Sequence, residues 1–241
     1  MSPLDVDVWT LPLTGGCAPA DRRLLAADEL ARADRFDAAS AAADFVHLRA
    51  TLRRVLATYT GTPPAELTFR LGSHGKPELT CRTVAFNLTH TRGLALVAVA
   101  PTGSVGIDAE FVDAAMDLAG LTARVLTARE AASVGTDRRR FLRHWVAKES
   151  YLKWLGAGLT IAPDALELCA DSGGLPVISA VGDARLPTRN VHSLDLGARY
   201  ACALVCDRNP RRVTLRPAGY VAPMSLAATT HQEHENDNCI A

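Results

Sequence analysis

Three carboxylates in the sequence have the types and spacing of a site for a hard cation. Asp108 and Glu110 are two residues apart, and Glu149 follows further along the chain. A strand directs residues i and i+2 to the same face, so the side chains of Asp108 and Glu110 would project together. Oxygen ligands without a histidine or cysteine partner suit Mg²⁺ or Mn²⁺, which also bind substrate phosphates. We therefore predict a metal site at Asp108, Glu110 and Glu149.

Ordinary structural roles are the alternative for these acids. Carboxylates are common on the exposed face of an edge strand, and a Lys-Glu pattern is typical of a solvated helix face. Two features favour the site. Gly106 lets a ligand or another backbone approach the strand, and Trp145 and Leu152 can anchor the helix so that Glu149 reaches inward. Glu130, in the preceding helix, is expected to be a surface acid.

Two further segments carry groups that bind phosphate. Thr89, His90 and Thr91 interrupt apolar strands at a predicted turn, where hydroxyl and imidazole groups can hydrogen-bond to phosphate. The alternative for His90 is a structural histidine whose hydrogen bonds are satisfied. Lys76 lies in a stiff turn predicted at residues 73–77, a position that indicates little when taken alone.

Strands and helices that alternate along the chain must position these groups. Apolar periodicity predicts strands at 6–13, 66–71, 84–88, 94–100, 105–111, 164–169, 175–180 and 199–206. It predicts helices at 21–35, 40–59, 121–134 and 138–155. The order of elements repeats at an offset of about 100 residues, for which coincidence is the alternative.

This repeat predicts an α+β fold of two similar lobes. We expect them to be related by a pseudo-two-fold axis through internal duplication, with the active site in the cleft between them. The predicted domains are an N-terminal lobe of residues 1–104, a C-terminal lobe of residues 105–216 and a flexible tail of residues 217–241. The tail is polar and has a composition typical of disorder.

Composition and charge argue against several classes of function. Hydrophobic residues make up 48% of the 241-residue chain, and 26 Lys and Arg balance 26 Asp and Glu. A net charge of zero gives no general attraction to nucleic acid or to an anionic membrane. The sequence shows no apolar run long enough to span a bilayer and no signal peptide. Its scattered cysteines suit a reducing compartment. We expect a cytoplasmic monomer without nucleic-acid or membrane partners.

Taken together, four segments resemble the 4′-phosphopantetheinyl transferases of the surfactin-synthetase-activating (Sfp) type. In order, they are residues 75–77, 86–91, 106–110 and 145–153, and the similarity runs from about residue 34 to about residue 206. Thr89 and Thr91 stand where the family has serine, which keeps the hydroxyl. Asp44 lies near the place of a phosphate-binding arginine found in some members.

The resemblance implies transfer of the phosphopantetheine arm of coenzyme A to a serine of an apo carrier protein, with release of 3′,5′-ADP. It implies Mg²⁺, or Mn²⁺, at the three carboxylates. The implied catalytic residues are Glu149 as general base, Lys153 at the leaving group, and Asp108. The residues implied to bind coenzyme A are Lys76, Thr89, His90, Arg53, Arg49 and Lys148. Helix packing is the alternative for Lys148.

The resemblance leaves the carrier unspecified, since acyl and peptidyl carriers are both possible partners. The two-lobed length is similar to that of broad-range activators of polyketide and non-ribosomal-peptide synthesis, rather than the short fatty-acid type. A different Mg²⁺-dependent phosphoryl enzyme, acting on a nucleotide without a carrier protein, is the alternative function.

Overall fold

The computed structural model describes residues 5–72, 74–112, 116–181 and 185–220. It has a mixed α+β architecture. The helices are α1 (Ala27–Ala33), α2 (Ala39–Thr60), α3 (Leu118–Val125), α4 (Ala128–Val134) and α5 (Arg138–Leu155). The first strands are β1 (Asp5–Pro12), β2 (Phe69–Leu71), β3 (Pro77–Leu79), β4 (Ala85–Thr91) and β5 (Leu94–Ala100). The remaining strands are β6 (Val105–Phe111), β7 (Leu166–Ala170), β8 (Pro176–Ala180), β9 (Arg189–Ser193), β10 (Tyr200–Cys206) and β11 (Arg212–Pro217).

The strands form two larger sheets and one hairpin. The first sheet has the order β11-β1-β5-β4, and the second has the order β6-β10-β9-β8-β7, while β2 pairs with β3. β11 is parallel to β1, with Asp5 opposite Arg212. The last strand therefore belongs to the sheet of the first half of the chain.

The two sheets pack face to face, and a long helix covers the outer side of each. In β5, Leu96 and Ala98 point toward Leu204 of β10 in the other sheet, whereas Val97 and Val99 pack against α2. β10 likewise turns alternate side chains toward α5. Strands covered on both faces are apolar throughout, which explains the unbroken apolar runs in β5 and β10.

Helix α5 lies directly on β6, and Gly106 allows this close approach. A Cβ atom at Gly106 would be 2.0 Å from the carbonyl oxygen of Ser150 and 2.3 Å from the amide nitrogen of Trp154. The helix ends at Gly156, which has a left-handed conformation with φ of 70°. The glycine that sequence analysis expected to admit a ligand or a backbone therefore admits the backbone of α5.

The predicted α+β class is confirmed, but several element boundaries differ. The helix predicted at 121–134 is two helices, because the side chain of Thr127 accepts a hydrogen bond from the amide of Glu130 and begins α4. The helix predicted at 21–35 is a short 3₁₀ turn followed by α1. Strands β3, β9 and β11 were not predicted.

Beyond residue 220, the predicted flexible tail lies outside the described residues. Within the described ranges, no helix combines the length and the apolar character that a bilayer crossing requires.

Candidate functional site

Strand β6 places two carboxylates beside β4, the facing edge strand of the first sheet. Asp108 is buried, with 5% of its surface exposed. Its Oδ1 accepts hydrogen bonds from Lys153 Nζ at 2.6 Å and from Thr89 Oγ1 at 3.0 Å. Its Oδ2 is also buried and has no hydrogen-bond partner among the described residues. A buried carboxylate oxygen without a partner is costly unless another group satisfies it.

Glu110 lies two residues further along β6 and is half-buried. Trp145 Nε1 of α5 donates to Glu110 Oε1 at 3.1 Å, and the Thr91 side chain also hydrogen-bonds to Glu110. Burial, and then repulsion from Asp108, raises the pKa of Glu110. A cation placed near these two acids would stabilise their charged forms and so oppose the increase in pKa.

Glu149 lies on α5 one turn after Trp145 and one turn before Lys153, so the three side chains share a helix face. Burial raises the pKa of Glu149, and repulsion from Asp108 and from Glu110 adds to the increase. The attraction of Lys153 opposes this effect. Three carboxylates thus converge on one lysine, which leaves an excess of negative charge in a buried place.

The chemistry of this donor set fits a hard cation. Within the described residues, no group of three His, Cys, Asp or Glu side chains already has the geometry of a formed metal site, and Lys153 occupies one oxygen of Asp108. The unpartnered Asp108 Oδ2, together with the raised pKa values of Glu110 and Glu149, indicates where a cation would be stabilised. Oxygen ligands alone favour Mg²⁺ or Mn²⁺ over softer metals.

A cleft of about 780 Å³ leads to these residues. Its walls come from α1, α2, the β2–β3 hairpin, β4 and the end of α5. Glu149 and Lys153 line one part of it, and Arg32 and Arg49 line another. A volume of this size accommodates a large small-molecule ligand, and the basic side chains suit one that carries phosphates.

Comparison with known proteins supplies the family. Residues 104–205 match the profile of the 4′-phosphopantetheinyl transferase superfamily. The chain is 36% identical over 166 residues to the 4′-phosphopantetheinyl transferase HetI of Nostoc sp. (strain PCC 7120), covering 64% of this chain and 70% of HetI. The chain belongs to the 4′-phosphopantetheinyl transferase superfamily.

Two further proteins are similar to this chain. The transferase is 29% identical over 161 residues to a putative 4′-phosphopantetheinyl transferase of Synechocystis sp. (strain PCC 6803), covering 64% of this chain and 65% of that protein. It also matches the crystal structure of Thermotoga maritima holo-(acyl-carrier-protein) synthase at 26% identity and a TM-score of 0.34. That match covers 42% of this chain and 61% of the synthase.

In the transferase, Arg49 and Arg53 meet a common partner. Both guanidinium groups bind the carboxylate of Glu29 on α1. Nη1 of Arg53 also donates to the carbonyl oxygens of Pro64 and Leu67, at 3.0 and 2.9 Å. Only 1% of Arg53 is exposed, so its main contacts hold α1 and the loop after α2. Arg49 has more exposed surface and lies on the cleft wall.

Lys148 does not lie with the other predicted site residues. It is fully buried, and its ammonium donates to the carboxylate of Glu130 and to the carbonyl oxygen of Val125. Neighbouring residues on a helix point about 100° apart, so Lys148 faces away from the cleft that Glu149 lines. The predicted contact of Lys148 with coenzyme A is therefore not supported. Glu130 is likewise buried rather than a surface acid.

Lys76 lines the cleft, but its ammonium is directed at protein oxygens. Nζ donates to Ser104 Oγ at 3.0 Å, to the carbonyl oxygen of Val105 at 2.9 Å and to that of Trp154 at 3.4 Å. Burial lowers the pKa of Lys76 to about 8. In this arrangement Lys76 ties the β2–β3 hairpin to the start of β6 and the end of α5.

The predicted phosphate-binding segment at residues 89–91 is a strand, and its side chains diverge. His90 is exposed and lines the cleft. Thr89 and Thr91 point the other way, toward Asp108 and Glu110. Strand alternation separates these two directions, and only His90 keeps a position suited to direct contact with phosphate.

Two groups at the site were not predicted from the sequence. Arg32 of α1 lies in the cleft wall, with its guanidinium carbon 5.3 Å from the ring centroid of Phe45. Asn87 of β4 hydrogen-bonds to the backbone of β6. The signal for Arg32 was its place in the amphipathic segment before α2, whereas no local pattern indicated the contact of Asn87.

Proposed function

We propose that this transferase moves the 4′-phosphopantetheine arm of coenzyme A to a serine of an apo carrier protein, giving holo carrier protein and 3′,5′-ADP. The supporting observation is the convergence of Asp108, Glu110, Glu149 and Lys153 at the side of a basic cleft. Asp108, Glu110 and Glu149 would hold Mg²⁺. When bound, the ion offsets the negative charge that grows on the transferred phosphate and the leaving phosphate.

The cleft is suited to bind coenzyme A by its phosphates. Arg32, Arg49 and His90 line its walls and present cationic or hydrogen-bonding groups to the interior. Charge-assisted hydrogen bonds from such groups position a phosphate strongly. Arg53 supports Arg49 by sharing the carboxylate of Glu29, and Lys76 holds the hairpin that closes one side.

Glu149 is the proposed general base. Its carboxylate lines the cleft, so it can take the proton of a serine that enters there. As the serine oxygen bonds to the phosphorus of the phosphopantetheine phosphate, the serine proton passes to Glu149. The phosphorus–oxygen bond to the ADP moiety breaks, and its electron pair stays with 3′,5′-ADP. The ammonium of Lys153 stabilises that leaving phosphate.

We further propose that the halves of the molecule are the two lobes predicted at residues 1–104 and 105–216, related by internal duplication. The recurring order of a strand, a short helix, a long helix and further strands supports this. The monomeric state, the cytoplasmic location and the pathway served stay predictions. The comparisons do not favour a phosphoryl enzyme that acts without a carrier protein.

Mass spectrometry of a panel of apo carrier proteins tests the proposal. With coenzyme A and Mg²⁺, the wild-type chain should add one phosphopantetheine to at least one carrier, and Glu149→Gln should abolish the addition while circular dichroism shows an intact fold. Glu167→Gln, on β7 away from the cleft, is the matched control and should retain transfer. Substantial transfer by Glu149→Gln would contradict the assignment, and consumption of coenzyme A without any carrier would favour the alternative enzyme.

A further inference from the structure

Strands β4 and β6 are joined by hydrogen bonds that involve side chains of β4, rather than by the backbone hydrogen bonds that pair strands within a sheet. β4 and β6 belong to different sheets, yet they are joined at three alternate residues of β4. Asn87 Oδ1 accepts from the amide of Ile107 at 3.0 Å. Thr91 Oγ1 accepts from the amide of Phe111 at 3.0 Å. We call Asn87, Thr89 and Thr91 the polar seam.

The polar seam accepts hydrogen bonds from backbone amides on the edge of β6 that does not pair with another strand. One side of β6 pairs with β10, and an edge strand leaves the amides of its other side without a ladder partner. These amides are close to the core, where water does not easily replace a lost hydrogen bond. Residues i, i+2 and i+4 of a strand point to one side, so a single face of β4 supplies all three contacts.

The same seam contacts both carboxylates of β6. Thr89 Oγ1 donates to Asp108 Oδ1 at 3.0 Å, and the Thr91 side chain hydrogen-bonds to Glu110. Thr91 therefore contacts the backbone of β6 and one of its acids with a single hydroxyl. Neither threonine is among the residues that line the cleft, so their hydroxyls serve the carboxylates rather than a ligand bound there.

We propose that Asn87, Thr89 and Thr91 are positioning residues that set the placement of the Asp108 and Glu110 carboxylates for transfer. The proposal rests on the proposed function for its kinetic part. Groups that orient carboxylates around a metal ion change affinity or activity by roughly 10- to 100-fold when they are removed.

Thr91 offers the cleanest test, because valine removes its hydroxyl at nearly constant shape and serine restores it. Thr10→Val is the matched control, since Thr10 is a half-buried strand threonine whose hydroxyl bonds to the carbonyl oxygen of Arg216 far from the cleft. Three measurements on the full chain apply. They are amide hydrogen exchange, Mn²⁺ binding by electron paramagnetic resonance with coenzyme A present, and steady-state kinetics.

In Thr91→Val we expect the Phe111 amide to exchange at least about fivefold faster, as the loss of one hydrogen bond predicts. Mn²⁺ affinity and kcat should each fall roughly 10-fold or more, while KM for coenzyme A stays within about twofold because the cleft wall is unchanged. Thr91→Ser should recover all three, and Thr10→Val should change none.

Each contrary outcome has a distinct meaning. Unchanged exchange at Phe111 in Thr91→Val would overturn the seam. Faster exchange with unchanged Mn²⁺ affinity and kcat would reduce the seam to a structural contact and overturn the positioning role. If the wild-type chain transfers nothing to any carrier, the proposed function fails, but exchange and Mn²⁺ binding still decide whether the seam orients the carboxylates.

Discussion

The two halves of the molecule anchor their long helices by the same device, but only one of the two anchoring cations lies on the wall of the cleft. In the first half, Glu29 of α1 accepts from the amide of Ala26 and binds Arg53 of α2. In the second half, Glu130 of α4 accepts from the amide of Thr127 and binds Lys148 of α5. Each time, a glutamate in the first turn of a short helix holds a cation of the next long helix.

The difference lies in the face that the anchoring cation occupies. Arg49 and Arg53 anchor α2 from the same face that lines the cleft, so that face serves packing and the proposed binding of phosphate. Lys148 anchors α5 from the neighbouring face. Glu149 and Lys153 therefore remain directed at the cleft and at Asp108. The relation of the anchoring cation to the cleft thus distinguishes a supporting helix from the helix that carries the proposed catalytic groups.

Removing the anchor of the second half should have the largest effect. Lys148→Met leaves Glu130 buried without its cation, and breaking a buried pair in this way costs about 3 to 5 kcal/mol. Urea unfolding monitored by circular dichroism measures the loss. The double variant Lys148→Met, Glu130→Gln should recover much of it, since no uncompensated charge remains. A loss below about 1 kcal/mol in the single variant would show that the pair does not anchor α5.

Removing the corresponding cation of the first half should cost less. In Arg53→Met, Glu29 keeps Arg49 as a partner, so we expect a loss of about 2 kcal/mol, mostly from the unpaired carbonyl oxygens of Pro64 and Leu67. The same unfolding experiment gives the comparison. An effect equal to that of Lys148→Met would mean that the second arginine adds nothing and that the two anchors are equivalent.

The smallest effect at neutral pH is expected for Lys76, which connects the two halves. Lys76→Met loses three hydrogen bonds but also the cost of burying an ammonium, so stability at pH 7 should change by about 1 kcal/mol or less. The pKa of Lys76 falls from 10.5 to about 8 on folding, so the unfolded chain binds more protons between these values. The contribution of Lys76 to the wild-type free energy of unfolding should then rise with pH between about 8 and 10.5. Below pH 8 this contribution should not change with pH.

Lys76→Met should lack this contribution, and unfolding at several pH values compares the two chains. A similar slope in the variant and the wild type would show that another group causes it. Glu78→Gln on the same hairpin is a control, because it changes a neighbouring charge but keeps the buried ammonium.

The sequence predicted the groups of the site better than their contacts. The i, i+2 spacing of Asp108 and Glu110 and the helical spacing of Trp145, Glu149 and Lys153 are local, and local periodicity indicates direction. The structure brings these residues together. For Lys148, helix geometry disfavours the contact with coenzyme A, because it puts the side chain on another face from Glu149. Its contacts with Glu130 and Val125 agree with the alternative of helix packing.

Contacts between distant segments were beyond prediction. The pairing of Lys148 with Glu130 and the bond from the Ile107 amide to Asn87 join separate elements. Strand β11 pairs in parallel with β1, at the other end of the chain, and no local pattern indicates that partner. In each case the deciding information is tertiary, since it depends on which elements pack side by side.

The parallel pairing of β11 with β1 has a practical consequence for dividing the molecule. A fragment of residues 1–104 would contain β1 but not β11, so a strand that is interior in the full chain would become an edge. Open edges of this kind promote pairing with other chains and aggregation. The sheet of the first half thus includes a strand from the end of the second half. A split version of the enzyme would need to supply residues 212–217 to the N-terminal piece.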